Sequence, residues 1–178
     1  MLSRGATLLL AIYPLLVPPA LKHLSPAVIS LLIVALLLLR LVSARAATPL
    51  PMIRAALAAA GGILLLSFLD PELGMRLYPV LMTATMLAVF THSLLHPPSM
   101  IERFARIVEP ELSPDGIRYT RKVTMVWCVF LALNLLISCY TVYFTSIETW
   151  SLYNGLISYL LMGLLFAGEF LVRRLSRP

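Results

Sequence analysis

No charged residue interrupts the stretch VTMVWCVFLALNLLISCYTVYF, which runs from residue 123 to residue 144. Its length matches the roughly 20 apolar residues that an α-helix needs to cross the hydrocarbon layer of a bilayer. Three cations, Arg118, Arg121 and Lys122, come shortly before it, and a short polar loop with Glu148 follows it. The stretch therefore predicts a transmembrane helix with basic residues at its first end.

Five further apolar stretches flank this one, and together they predict an all-α fold: one polytopic domain, residues 1–178, with six transmembrane helices. The other five cover about residues 5–21, 26–42, 52–69, 79–95 and 150–172. Hydrophobic residues make up 60% of the chain and charged residues only 12%, which is about half the charged content of a soluble domain. The polar surface is too small to coat a water-soluble globule.

Prolines and small residues distinguish the first and third stretches. The first is predicted to kink or to end early because it contains Pro14, Pro18 and Pro19. In the third, small residues recur four apart, as in the pair Ala58 and Gly62. Because this spacing lets helix backbones approach closely in lipid, we expect tight helix packing there rather than a ligand site.

The distribution of cations predicts the orientation of the helices. Of the 14 Lys and Arg residues, 12 fall in alternate segments, and only Lys22 and Arg76 fall in the others. Since cytoplasmic loops carry an excess of Lys and Arg, both termini and the segment 96–122 are predicted to be cytoplasmic. The net charge of +6 then needs no nucleic acid to explain it, because no basic stripe with interleaved aromatic residues is present.

The segment 96–122 is the only long polar connection, and it is predicted to contain a helix. Ser99 and Glu102 have the spacing of a capping box, which opens a helix after Pro97-Pro98, and Pro110 ends it. One arc of that helix is apolar and contains Met100, Ile101, Phe104, Ile107 and Val108. The opposite arc contains Glu102, Arg103, Arg106 and Glu109.

This amphipathic helix has two interpretations. It either lies in the headgroup layer and simply joins the fourth and fifth spans, or it forms a docking surface for a cytosolic partner. The polar residues of the segment are the candidate partner-binding residues: Glu102, Arg103, Arg106, Glu109, Glu111, Asp115, Arg118, Tyr119, Arg121 and Lys122.

The ionisable residues near the predicted cytoplasmic ends are weak catalytic candidates. His92 and His96 share a helix face, but two ligands without a third do not indicate a metal site, and packing or capping is favoured. Glu169 lies at membrane depth, where an ionisable group indicates function, yet Arg173 four residues on favours a structural ion pair. Asn134 is predicted to hydrogen-bond a neighbouring helix. No sequence motif indicates a cofactor or a metal.

Two parts of the C-terminal half carry a further resemblance. The first comprises PPSMIERFAR (97–106), EPEL (109–112), GIRYTRKVT (116–124) and WC (127–128). The second comprises YNGLISYLLMG (153–163), FAGE (166–169) and Arg173. Together they resemble a family of small, functionally uncharacterised bacterial inner-membrane proteins associated with aryl polyene and xanthomonadin-type pigment clusters. The resemblance implies residence in that membrane and a role near polyene-lipid assembly or export, and it supplies no catalytic residue.

The sequence therefore favours an accessory or scaffold protein that holds soluble acyl-chain enzymes at the inner membrane through the segment 99–122. A second hypothesis is a lipid or small-molecule carrier that works with a membrane exporter, with a lipid-accessible groove flanked by the first and third spans. A third is a membrane enzyme acting on acyl or prenyl chains, in which Glu169 and His92 or His96 would converge on one cavity.

Overall fold

A computed structural model describes residues 13–44, 61–62, 64–65 and 68–175, apart from the side chains at 40–44 and 174–175. The described part is all-helical and contains no strand, which confirms the predicted fold class at that level. Its helices are α1 (13–20), α2 (Pro26–Ala44), α3 (Pro71–Arg76), α4 (Tyr78–Leu95), α5 (Met100–Val108), α6 (Pro114–Phe144), α7 (Ile147–Leu152) and α8 (Ser158–Leu175), with a π-helical turn at Tyr153–Ile157 between the last two.

Three helices in the described part are long and apolar enough to cross a membrane, so this is a protein of the membrane class. They are Tyr78–Leu95, Pro114–Phe144 and the continuous rod Ile147–Arg173, which match the predicted fourth, fifth and sixth spans. The apolar part of α2, Pro26–Leu39, is shorter. Most of the first and third predicted spans lies outside the described residues, so six crossings remain a prediction.

The helices run between two ends of the molecule. We call them the α3 end, where α3 lies and α6 finishes, and the α5 end, where α5 lies and α6 begins. The longest helix, α6, has 31 residues and is therefore roughly 46 Å long, against roughly 30 Å for the hydrocarbon layer. Its first turns, which were predicted to be a loop up to residue 122, are helical, and the whole helix is longer than that layer is thick.

The core at the α3 end is aromatic. Tyr13 packs edge-on against Tyr78 at 4.9 Å and lies 6.2 Å from the fully buried Trp150. The Tyr13 hydroxyl donates to the Met75 carbonyl at 2.9 Å, and Trp150 Nε1 donates to the Arg76 carbonyl at 3.2 Å. Burying such rings with their polar atoms paired stabilises the junction of α1, α3 and α7.

A second apolar cluster lies towards the α5 end. It consists of Phe90, Trp127 and Leu131, and the Phe166 ring contacts Trp127 at 4.5 Å between centroids. Because these residues come from α4, α6 and α8, the cluster joins the three spanning helices. α4 and α6 form the most extensive helix pair in the described part of the chain.

A buried polar network joins α6 to the π turn. Asn154 Nδ2 donates to Thr141 Oγ1 at 3.0 Å, and the Tyr153 hydroxyl donates to Asn134 Oδ1 at 2.9 Å. The predicted interhelical bond of Asn134 is therefore confirmed. In lipid such polar contacts help to align helices, because an unpaired polar group there has no water to bind.

The small-residue stretch of the third predicted span lies mostly outside the described residues. At its described end, a Cβ added to Gly61 or Gly62 would meet no described atom within 4 Å. The tight packing predicted for this stretch is therefore not seen at that end. The first helix continues through Pro18 and Pro19 and ends at residue 20.

Candidate functional site

The candidate site is the surface of the α5 end, residues 96–122. Its central element, α5, begins as predicted with a capping box, in which the Ser99 N–H donates to Glu102 Oε2 at 3.3 Å. Two backbone N–H groups in its first turn also donate hydrogen bonds to side chains of neighbouring helices. The Met100 N–H donates to Ser93 Oγ of α4 at 2.9 Å, and the Ile101 N–H donates to Thr124 Oγ1 of α6 at 3.3 Å. These bonds fix α5 across the ends of α4 and α6.

The polar arc of α5 does not face outward as a whole. Glu102 is 5% exposed and accepts from Arg106 Nε at 3.0 Å and Nη2 at 2.8 Å. Arg106 Nη1 also donates to the Pro110 carbonyl at 3.1 Å. The pair Glu102–Arg106 therefore holds α5 and the turn after it together, and it is poorly placed to bind a partner.

Arg106→Met is expected to lower the free energy of unfolding by about 3 kcal/mol, because it leaves the buried Glu102 carboxylate without its cation. Glu102→Gln is expected to cost only about 1 kcal/mol, since the Arg106 side chain is 39% exposed and can take up water. Unfolding by dodecyl sulfate in mixed micelles measures both changes. Equal losses would contradict the assignment of Glu102 as the buried member.

Part of the apolar arc of α5 packs against the protein, and the rest is exposed. Met100 and Ile101 pack on the Phe90–Trp127 cluster. Phe104, Ile107 and Val108 are 51%, 78% and 89% exposed, respectively. An apolar edge of this kind beside two spanning helices fits a helix that lies in the headgroup layer, the first of the two interpretations drawn from the sequence.

A basic patch covers the first turns of α6. Arg118, Arg121 and Lys122 are spaced i, i+3 and i+4, so they share one face of the helix. All three are exposed, whereas Thr120 and Thr124 on the opposite face are buried. Arg118 pairs with Asp115, and both side chains are more than three-quarters exposed, so this pair is freely accessible to a partner. We call Arg118, Arg121 and Lys122 the α6 patch.

Most of the remaining partner-binding candidates are exposed. Arg103 is exposed, and its Nε donates to the Pro98 carbonyl at 2.9 Å. Glu109, Glu111 and Asp115 are also exposed. Four candidates from the sequence are therefore accessible in addition to the patch, whereas Glu102 is buried and pairs with Arg106.

Tyr119 and Glu169 are brought together, which the sequence did not predict. The half-buried Tyr119 phenol faces the Glu169 carboxylate and lies near Arg173. Arg173 Nε lies 3.9 Å from Glu169 Oε1, so the favoured ion pair is present in a loose form. The group ties the start of α6 to the last turns of α8.

The two histidines are separate from this group. The His92 and His96 rings stack on each other with centroids 4.3 Å apart, and both side chains are exposed on α4. Glu169 interacts instead with Tyr119 and Arg173. Within the described ranges, no group of three or more His, Cys, Asp or Glu side chains is placed to hold a metal ion.

Sequence reasoning missed the polar anchors of this surface. Ser93 and Thr124 look like ordinary residues of apolar spans, yet they fix the first turn of α5. Their signal is their position one turn from the membrane edge, on the faces that α4 and α6 turn towards α5.

Fold and site together define a class: an all-helical membrane protein with a charged helical surface at one end. Comparison with known protein families, with curated proteins and with solved structures finds no match to the chain.

Proposed function

We propose that this protein is a membrane-embedded accessory protein that holds a soluble partner at the membrane through the α6 patch. The observation that carries the proposal is that three cations, Arg118, Arg121 and Lys122, share one exposed face of a helix that is longer than the apolar layer is thick. No cation of this patch is used to stabilise the core, in contrast to Arg106. A patch of this charge fits an acidic surface on the partner.

The α6 patch is also rigidly presented. α6 begins at a proline, and Ser113 Oγ caps its first turn by accepting from the Gly116 N–H at 3.2 Å. Thr120 and Thr124 fix the opposite face, since each hydroxyl donates to a carbonyl of the preceding turn. A preorganised surface loses little conformational entropy on binding, which favours specific docking.

The orientation that accompanies this proposal puts the α5 end and both termini in the cytoplasm. Its support is the charge count of the sequence, in which 12 of 14 cations fall on that side. The resemblance described above adds the partner class: soluble enzymes that build acyl or aryl-polyene chains at a bacterial inner membrane. The protein would then serve biosynthesis or export by keeping those enzymes near their lipid product.

The test is recovery of the partner from detergent-solubilised membranes by tagged protein. The triple variant Arg118→Glu/Arg121→Glu/Lys122→Glu is expected to lose at least about tenfold in recovery, because opposed charges at an interface disfavour binding by several kcal/mol. The matched control Arg118→Lys/Arg121→Lys keeps the charge and should retain most of it. Raising the salt concentration should weaken recovery by the unmodified chain, since exposed charges are screened. Equal recovery by all three proteins would overturn the proposal.

A second candidate, the lipid carrier, has an observation in its favour. A groove opens between α1 and α2, in the first two predicted spans, whereas most of the third span lies outside the described residues.

A further inference from the structure

An apolar groove runs between α1 and α2. It has a volume of about 190 Å³ and is lined by Tyr13, Leu16, Val17, Ala20, Leu24, Ile29, Leu32, Ile33 and Leu36. Tyr13, Val17, Ile29 and Ile33 form its floor, since each is at most 6% exposed, and the exposed Leu16, Leu24 and Leu32 form its rim. Tyr13 turns its hydroxyl away into the bond with the Met75 carbonyl, so the floor is effectively apolar. This is a shape and chemistry suited to a hydrocarbon chain.

One end of the groove carries a positive charge. Lys22 and His23 lie in the turn between Ala20 and Leu24, both of which line the groove, and both side chains are exposed. Within the described ranges Lys22 has no acidic partner. Two acidic residues at the α3 end are engaged elsewhere: Asp70 caps α3 by accepting from the Glu72 and Leu73 N–H groups at 3.0 Å, and Glu72 pairs with Arg76.

We infer that the groove holds one acyl chain of an anionic phospholipid from the surrounding leaflet, with Lys22 and His23 at its headgroup. The ammonium of Lys22 supplies charge to the phosphate, and the imidazole of His23 supplies a hydrogen-bond donor. The acyl chain lies against the exposed rim residues Leu16, Leu24 and Leu32. This inference concerns the α3 end and does not depend on docking at the α6 patch.

Photo-crosslinking in vesicles tests the inference with the full chain. The probes are phosphatidylglycerol and phosphatidylcholine that each carry a diazirine in the acyl chain, and the readout is the label recovered between residues 13 and 36. Ala20→Phe fills the groove and is expected to reduce phosphatidylglycerol labelling about tenfold, the change produced by losing contact with roughly two methylene groups. Leu31→Phe is the matched control, because Leu31 is an exposed residue of α2 that does not line the groove.

Lys22→Glu tests the headgroup separately and leaves the groove unfilled. It is expected to lower phosphatidylglycerol labelling about fivefold, the contribution of one lysine at an anionic surface, and to leave phosphatidylcholine labelling unchanged. Two results would overturn the inference: equal labelling of Ala20→Phe and Leu31→Phe, or equal labelling by the two lipids in the unmodified chain. Either result would mean that lipid contacts this face only as general solvent.

Discussion

Gly155→Ala is expected to destabilise the protein by about 2 kcal/mol, as overpacking of a close helix contact does. A Cβ at this position would lie 2.6 Å from Leu15 Cγ and 2.9 Å from the Leu15 backbone nitrogen. Because one of these atoms is backbone, no change of side-chain rotamer can relieve the clash, and α1 must move away from the π turn. Gly155→Val should cost more, since it adds two further methyl groups at the same contact.

The displacement of α1 has consequences that can be measured. Ser151 Oγ donates to the Pro14 carbonyl at 2.6 Å, and Tyr13 donates to the Met75 carbonyl at 2.9 Å. Both bonds depend on the close approach that Gly155 permits. In the variant, α1 should therefore be cleaved more readily by proteases, and the melting temperature in detergent should fall. Fluorescence of the adjacent Trp150 reports the same movement.

Gly163→Ala and Gly168→Ala are the matched controls in α8. An added Cβ at either glycine meets no described atom within 4 Å. Each substitution should therefore be neutral or stabilising by about 0.5–1 kcal/mol, because alanine loses less conformational freedom than glycine in a helix. A Gly155→Ala protein as stable as these two would contradict the packing of α1 on the π turn.

The apolar periodicity and the proline positions predicted the fourth, fifth and sixth spans to within a few residues, except where α6 begins. The sequence placed the start of the fifth span at Val123, because Arg118, Arg121 and Lys122 interrupt the apolar run. The helix in fact begins at Pro114. Hydropathy reports the length of a helix in lipid, whereas helix propensity and capping by Ser113 decide where the backbone becomes helical.

The sequence predicted the helix at the candidate surface but not which of its faces packs against the protein. The capping box predicted the start of α5, and the structure shows the ion pair of Glu102 with Arg106. The helical wheel could not show which arc faces the protein, because that depends on Ser93 and Thr124 from two other helices. A buried carboxylate and an exposed Phe104 are the opposite of what amphipathicity alone predicts for a helix in water.

The contact between Tyr119 and Glu169 could not be predicted from the sequence either, because it also depends on how separate helices pack. The two residues are far apart in the chain, and each was assigned a different role. Only the antiparallel course of α6 and α8 brings them to one place. Contacts between helices depend on rotation about each axis, which single-sequence periodicity determines poorly when most faces are apolar.

Arg76→Met should lower the free energy of unfolding by about 3 kcal/mol, the upper range for hydrogen bonds made by a charged group. The sequence placed Arg76 outside the cation-rich segments, and its side chain is only 12% exposed. Arg76 Nη1 donates to the Thr145 carbonyl at 3.1 Å and the Val142 carbonyl at 3.4 Å. These carbonyls end α6, where the helix dipole also favours a cation.

Two further variants separate the carbonyl bonds from the ion pair of Arg76 with Glu72. Arg76→Lys keeps the charge but not the planar fork, so it should recover only about half of the loss. Glu72→Gln should cost at most about 1 kcal/mol, because the Glu72 side chain is 54% exposed and exposed ion pairs contribute little. Chemical unfolding in mixed micelles ranks the three. If Glu72→Gln were as costly as Arg76→Met, the ion pair rather than the capping of α6 would hold the α3 end together.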